Sequence, residues 1–388
     1  MKPLNSAVLS IEPSATLAIA ALSKQLSGQG RPVCDFSAGE PDFDTPKVIK
    51  EAAATALHEG KTKYTPAAGV NELCQAIAAK LKSDNKLDYA PSQIVVSSGA
   101  KHSLALVFQT LLNSGDEVLL PAPYWLSYPE MIRISGGGAK LMPATAAADF
   151  KITPADIERA VTPKTVAMVI NSPCNPTGTM YTPAELKALG EAALRHGLTI
   201  VSDEIYEKMV YDGNVAASIA SFSPELYEHT ITVNGMSKPY AMTGWRIGYT
   251  AGPAHFIKAM SALQSHTASA PNTFAQWGAV AALEKGNAEA TAMVAEFDER
   301  RKTIFALLGS TPGVVCPRPT GAFYVFPDIS SFGLDSLTFA KRLLEEKNVA
   351  VVPGVAFGDD RCVRFSYACS IDNIERGLAQ FKEFCAGL

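Results

Sequence analysis

An α/β fold built on a mainly parallel sheet, joined to a smaller α+β lobe, is predicted by three features of the sequence. Short β-branched runs alternate with helix-spaced segments rich in Ala, Leu, Glu and Lys through the middle of the chain. One later run follows its predecessor too closely for a crossover helix. After about residue 290 the pattern changes to a long polar helix followed by scattered short strands. The length of 388 residues agrees with more than one packed unit, since a domain usually holds roughly 100 to 200 residues.

The predicted strands run in order Ile94–Ser97, Glu117–Leu120, Val166–Ile170, Thr199–Ser202 and Thr230–Val233. Ile247–Thr250 comes next. Only residues 234–246 precede it, too few for a parallel crossover, so it is predicted to be antiparallel. The second lobe is expected to contain strands near Gly321–Phe326, Ala350–Val352 and Val363–Ser366, with a helix over Leu337–Glu346. No solenoid repeat or low-complexity tract interrupts the chain.

Composition removes several classes of function. With 34 Lys and Arg against 38 Asp and Glu, the formal charge is -4, so no global basic field exists to attract nucleic acid. The seven cysteines are scattered and form no CxxC or Cys/His cluster, which predicts reduced thiols, a cytoplasmic setting and no metal site. The segment Ser14–Ser23 is apolar but follows Glu12, with Lys2 the only early cation, and is not expected to be a signal peptide. No run reaches the roughly 18 apolar residues of a membrane span.

Parallel sheets bind ligands beyond the carboxyl ends of their strands, so the residues after each run carry the functional information. Ser98-Gly99-Ala100-Lys101 follows the first run and opens a helix. This small-residue turn has free amides at a positive helix end, although such turns are often purely conformational. NSPCNPTG (171–178) follows the third run, and its two prolines stiffen the loop that presents Asn175. Asp203-Glu204-Ile205-Tyr206 follows the fourth; a carboxylate there is more often a cap or an ion-pair partner. NGMSKPYAMTGWRIGY (234–249) follows the fifth, and sets Ser237, Lys238 and Arg246 among apolar neighbours. Desolvation lowers an amine's pKa and makes it a better nucleophile for a carbonyl. A buried amine, a serine, an arginine and an acid together suit an aldehyde cofactor that also carries a phosphate, the demands of pyridoxal phosphate.

These segments, with SAGEPDFDTP (37–46), KYTPAAGVNEL (63–73), PAPYWLSYPEM (121–131), PTGAFYVFP (319–327) and VRFSYA (363–368), resemble the class I aminotransferases of fold type I. Within them the chain resembles the gamma-type bacterial aspartate aminotransferase branch, almost from end to end. The resemblance implies pyridoxal 5'-phosphate as cofactor and ping-pong transamination of aspartate or glutamate with 2-oxo acids, prephenate being a further candidate. It also implies a homodimer with shared active sites. The large cofactor domain would span 46–289, and a small domain would combine 1–45, including an arm of about 1–12, with 290–388.

By matching position, Lys238 resembles the Schiff-base lysine and general base, Asp203 the partner of the pyridine nitrogen, and Tyr206 and Asn175 the donors to the ring's phenolic oxygen. Trp125 resembles the ring-stacking aromatic. Ser98, Gly99, Ala100, Ser237 and Arg246 match the phosphate cup, with Tyr64 contributed by the neighbouring subunit. Arg364 matches the fork that grips the substrate α-carboxylate, helped by Asn175 and the backbone at Gly39. The arginine that alpha-type enzymes use for the distal carboxylate is absent, since no arginine lies between Ile247 and Glu299. Lys101 and Thr16 match the gamma-type alternative; Lys101 also reads simply as the start of a helix.

The sequence also leaves other readings open. The same fold hosts β-lyases, cyclopropane-forming synthases and aromatic or kynurenine aminotransferases. A nicotinamide enzyme would need a third glycine where Leu141 stands after Gly136-Gly137-Gly138, and a P-loop would need glycine where Thr55 precedes Gly60-Lys61-Thr62. A non-catalytic pyridoxal-binding regulator would carry an added DNA-binding module, for which no segment is expected.

Overall fold

The computed structural model describes residues 4, 6–9, 11 and 15–388. Its largest sheet contains seven strands: β1 Ile94–Ser97, β2 Glu117–Ala122, β3 Gly138–Pro143, β4 Thr165–Asn171, β5 Thr199–Asp203, β6 Thr230–Gly235 and β7 Gly248–Ala251. Their spatial order is β1-β7-β6-β5-β4-β2-β3. β7 pairs antiparallel with both β1 and β6, while the other neighbours are parallel. The short 234–246 connection thus has the predicted result, although β7 sits inside the sheet. β3 was not anticipated: GAKLMP lacks a β-branched run, and its pairing with β2 alone leaves it an edge strand with exposed residues.

Alternation along the strands builds the core. Val118, Leu120, Val169, Val201 and Val233 pack on one face with Val107 and Phe108 of helix α1, Ala100–Leu111. Leu119, Met168, Ile170 and Ile200 point to the opposite face and meet Leu186 and Leu189 of the helix Pro183–Arg195. This period-two division explains why both faces are buried and why the strands read as nearly continuous apolar runs.

The two ends of the chain meet beside this sheet. Cys34–Asp35 pairs in parallel with Val349–Ala350. A three-stranded antiparallel sheet follows, with β8 Tyr324–Val325, β9 Val352–Pro353 and β10 Val363–Ser366 in the order β9-β10-β8. The helices Asn287–Gly309 and Ser336–Lys347 occur near the predicted places, whereas only Tyr324–Val325 of the anticipated 321–326 run forms a strand. Phe36, Phe297, Phe323, Phe365 and Phe381 form a core that also takes in Ile205 and Tyr206 from the loop after β5. That shared core holds the β10 residues over the carboxyl edge of the large sheet. All seven cysteines are unpaired. No helix among the described residues is long and apolar enough to cross a membrane.

Candidate active site

The carboxyl ends of β1, β4, β5 and β6 open on one cavity of roughly 630 Å³, closed on its far side by the 35–40 segment and by β10. Asp203 ends β5 at the floor and is 4% exposed. Its Oδ2 accepts a hydrogen bond from the Tyr128 hydroxyl at 2.6 Å, and its Oδ1 accepts from the Ile205 amide at 3.2 Å. Burial raises its pKa to about 6, while these two donors and the charge of Lys238 favour the carboxylate.

Lys238 lies in the loop after β6, between Met236 and Tyr240, both almost fully buried. Its ammonium donates to the carbonyl of Gly39. Burial comes first in lowering its pKa to about 8, and Arg364 and Arg246 add to it against the opposing charges of Glu40 and Asp203. A much larger fraction is therefore the free amine near neutrality than for an ordinary lysine.

A second cationic group faces the first from β10. Arg364 is 2% exposed, yet its Nη1 donates to Asn175 Oδ1 at 3.0 Å and its Nη2 to the Ser37 carbonyl at 2.9 Å. The guanidinium lies 4.6 Å from the Tyr324 ring centre and 5.0 Å from that of Phe357. Its Nε is buried without a partner, an orphan donor in a cavity wall. Asn175 is in turn fixed through its own amide, which donates to Asn171 Oδ1 at 3.0 Å. Tyr206, also buried, shares a 3.0 Å hydroxyl contact with Tyr324.

An anion cradle occupies the opposite end. In the turn before α1 the Ser98 amide donates to His102 Nδ1 at 3.3 Å and the Gly99 amide to the Ser97 carbonyl at 2.7 Å, so the helix's positive end is formed by the first-turn amides of α1. Arg246, in the left-handed conformation at φ 58°, bends over that turn with Nη1 donating to the Thr243 carbonyl at 2.8 Å. Gly99 has φ +86°, and a Cβ there would lie 2.5 Å from Arg246 Nη2. A Cβ on Gly248 would lie 2.2 Å from the Ala100 amide nitrogen, so β7 can approach the turn only because that position is glycine. Gly99→Ala is expected to displace Arg246 and weaken cofactor binding by about tenfold or more. Equilibrium titration of cofactor into the stripped protein measures this.

Ala100, Ser237, Lys238 and Arg246 line the cavity, and so do Gly39, Lys101, Trp125, Asn175, Asp203, Tyr206 and Arg364. Lys101 Nζ lies 5.0 Å from the Trp125 ring centre, and burial followed by the charge of Arg246 lowers its pKa. Ser98 stands behind the cradle, its carbonyl accepting from Arg246 Nη2 at 3.4 Å. Tyr64 does not line this cavity and is 95% exposed. Thr16 falls in the helix Ala15–Gly28, but its side chain lies outside the described residues. Sequence reasoning did not single out Tyr128, Tyr324, Ser37 or Asn171. All four fall in or beside the quoted segments, so the available signal was proximity to Trp125, Arg364's strand partners, Gly39 and Asn175.

A buried amine, an acid at the cavity floor and an anion cradle fit the aldehyde, ring nitrogen and phosphate of pyridoxal phosphate, which defines a pyridoxal-phosphate enzyme. The model of the family "Aminotransferase class I and II" matches residues 31–381. The aspartate aminotransferase of Bacillus subtilis is 48% identical over 382 residues, 97% of each chain. The aspartate/prephenate aminotransferase of Cereibacter sphaeroides is 45% identical over 99% of each. The Thermus thermophilus aspartate aminotransferase solved with maleate superposes with a TM-score of 0.95 at 42% identity, covering 99% of this chain and 100% of that one. The chain belongs to the class I and II aminotransferase family, and is an aminotransferase of fold type I that uses pyridoxal phosphate.

The lowered Lys238 pKa has a kinetic consequence. Capture of pyridoxal phosphate by the cofactor-stripped protein should accelerate as pH rises and level off above about 8, because the neutral amine is the nucleophile. Stopped-flow absorbance reads the profile. A rate still climbing towards the ordinary lysine value of ~10.4 would contradict the assigned environment.

Proposed function

We propose that this enzyme transfers the amino group of aspartate or glutamate to 2-oxo acids such as 2-oxoglutarate and oxaloacetate, with prephenate as a further acceptor. The observation that carries this reading is the pair of cationic side chains, Arg364 and Lys101, lining one cavity with Lys238. A dicarboxylic substrate presents one anionic group for each. The aspartate and aspartate/prephenate names of the relatives support the same substrate class.

Bound pyridoxal phosphate supplies an electron sink for negative charge at the substrate Cα and a carrier for the amino group. Arg364, oriented by Asn175 and Ser37, holds the α-carboxylate in a fixed fork. Lys238 would carry the cofactor through its amine and, when that amine is free, would serve as the base that holds the substrate Cα proton. Asp203 keeps the ring nitrogen protonated, and Tyr206 and Asn175 donate towards the ring's phenolic oxygen. Trp125 packs on the ring face. Arg246, Ser237 and the Ser98-Gly99-Ala100 turn hold the phosphate. The backbone at Gly39, whose carbonyl receives Lys238, completes the α-carboxylate grip. Lys101 reads the distal carboxylate, with Thr16 as its companion.

Tyr64 serves the cofactor of a second copy, which makes a two-fold homodimer the smallest working unit. Its full exposure in a single chain supports that role. The large domain spans 46–289 and the small one combines the described residues of 1–45 with 290–388; part of the arm expected over about 1–12 lies outside the described residues. The unpaired cysteines and the absence of a spanning helix among the described residues support a cytoplasmic setting.

A substrate panel with Lys101→Ala tests specificity. The substitution should lower kcat/KM for aspartate by about 10- to 100-fold, the loss of one charged contact, and leave alanine turnover nearly unchanged. Equal kcat/KM for aspartate in the two proteins would overturn the role of Lys101. A stronger preference for aromatic donors in the wild type would overturn the dicarboxylate reading.

A further inference from the structure

We propose that Tyr128 is a positioning residue for the reaction, keeping Asp203 in its carboxylate form and in the orientation the cofactor's ring nitrogen requires. The proposal rests on the role of Asp203 given above.

Tyr128 lies at the start of helix α2, Ser127–Ile134, and is 1% exposed. The 2.6 Å contact with Asp203 Oδ2 has the length of a hydrogen bond from a hydroxyl to an ionised carboxylate. Each oxygen of Asp203 thus receives one donor, Tyr128 on one side and the Ile205 amide on the other. That fixes the carboxylate plane and leaves further lone pairs for a donor in the cavity. A carboxyl group this deeply enclosed and without such donors would take up a proton and lose the charge that balances a ring cation.

The other groups that face Asp203 do not substitute for this donor. Lys238, from the loop after β6, acts through charge alone. Cys174, from the loop after β4, has its thiol pushed up to about 11 by burial and stays neutral. Tyr206 is held protonated by burial and by its neighbours Tyr324 and Asp203, and its hydroxyl meets that of Tyr324 and not the Asp203 carboxylate. Burial and the charge of Asp203 likewise keep the proton on Tyr128 itself, so it acts as donor and not as acceptor.

The same ring meets Trp125 edge-on, with centroids 5.2 Å apart and planes at 83°. One side chain therefore braces both the aromatic that faces the cofactor ring and the acid beneath it. Phenylalanine would keep the brace and remove the donor, which separates the two contributions.

The test uses holoenzyme loaded with pyridoxal phosphate carrying ¹⁵N in the ring, and compares the ring-nitrogen resonance at one neutral pH. Wild type should show the protonated position. Tyr128→Phe should move the resonance towards the unprotonated position, as the more basic Asp203 draws the proton to itself. 4-Aminophenylalanine at position 128, a weaker donor of nearly the same shape, should give an intermediate shift. The Phe variant should also lose about 10- to 100-fold in kcat with little change in KM, the effect of one hydrogen bond to a charged group. A wild-type resonance in folded Tyr128→Phe, with Asp203→Asn displaced, would show that Tyr128 only fills space. A wild-type resonance in Asp203→Asn would instead overturn the role of Asp203, and this proposal with it.

Discussion

Replacing Lys238 with alanine is expected to lower kcat for transamination by at least about 10⁴-fold, the largest effect of any single substitution in the cavity. Two contributions combine. In the proposed function the ε-amine is both the site of cofactor attachment and the base for the substrate Cα proton; positioned general acid-base catalysis alone contributes about 10²- to 10⁴-fold. Lys238 donates to the Gly39 carbonyl, a half-buried loop group of the cavity wall, so its loss should leave the fold intact. Single-turnover kinetics with aspartate measure the effect, and a thermal melt checks the fold. Added methylamine should restore part of the rate by supplying a free base. Residual activity within about tenfold of wild type would remove Lys238 from the proton transfer.

Arg364→Leu is expected to reduce kcat/KM for every amino acid and 2-oxo acid by about 10²- to 10³-fold, the cost of losing a buried, hydrogen-bonded charge partner. The effect differs in kind from that of Lys101→Ala, because the α-carboxylate is common to all substrates. Arg364→Lys should recover little of the loss. An ammonium cannot reproduce a planar fork that already spends Nη1 on Asn175 and Nη2 on Ser37 while stacking on Tyr324. Saturation kinetics with aspartate, glutamate and alanine separate the two arginine and lysine effects. A loss confined to dicarboxylic substrates would assign Arg364 to the distal end instead.

The strands that frame the cavity were legible because they are central and buried on both faces, so their residues must be apolar whatever lies beside them. β3 was not, since an edge strand answers mainly to the partner it pairs with and GAKLMP carries no signal of its own. The direction of β7 followed from simple chain length. Its place inside the sheet did not, because nothing local records which strands flank it.

The site divides in the same way. Lys238, Asp203, Asn175 and Arg246 stand directly after strands or in stiff loops, where the residue type itself suggests chemistry. Tyr128 and Tyr324 act on residues 75 and 118 positions away, and a tyrosine in an apolar segment looks like core until the chain has folded. Tyr64 and Thr16 took their meaning from resemblance alone. One is a lone exposed ring in this chain, and the other has its side chain outside the described residues.

The proposed function requires the Lys238 amine to carry the cofactor, with the other cavity residues arranged around that attachment. Borohydride reduction of the holoenzyme, followed by proteolysis and peptide mass spectrometry, tests it directly. The reduced cofactor is expected on the peptide containing Lys238 and on no other lysine, with Lys101 unlabelled. A cofactor recovered on a different lysine, or released unattached after reduction, would contradict it.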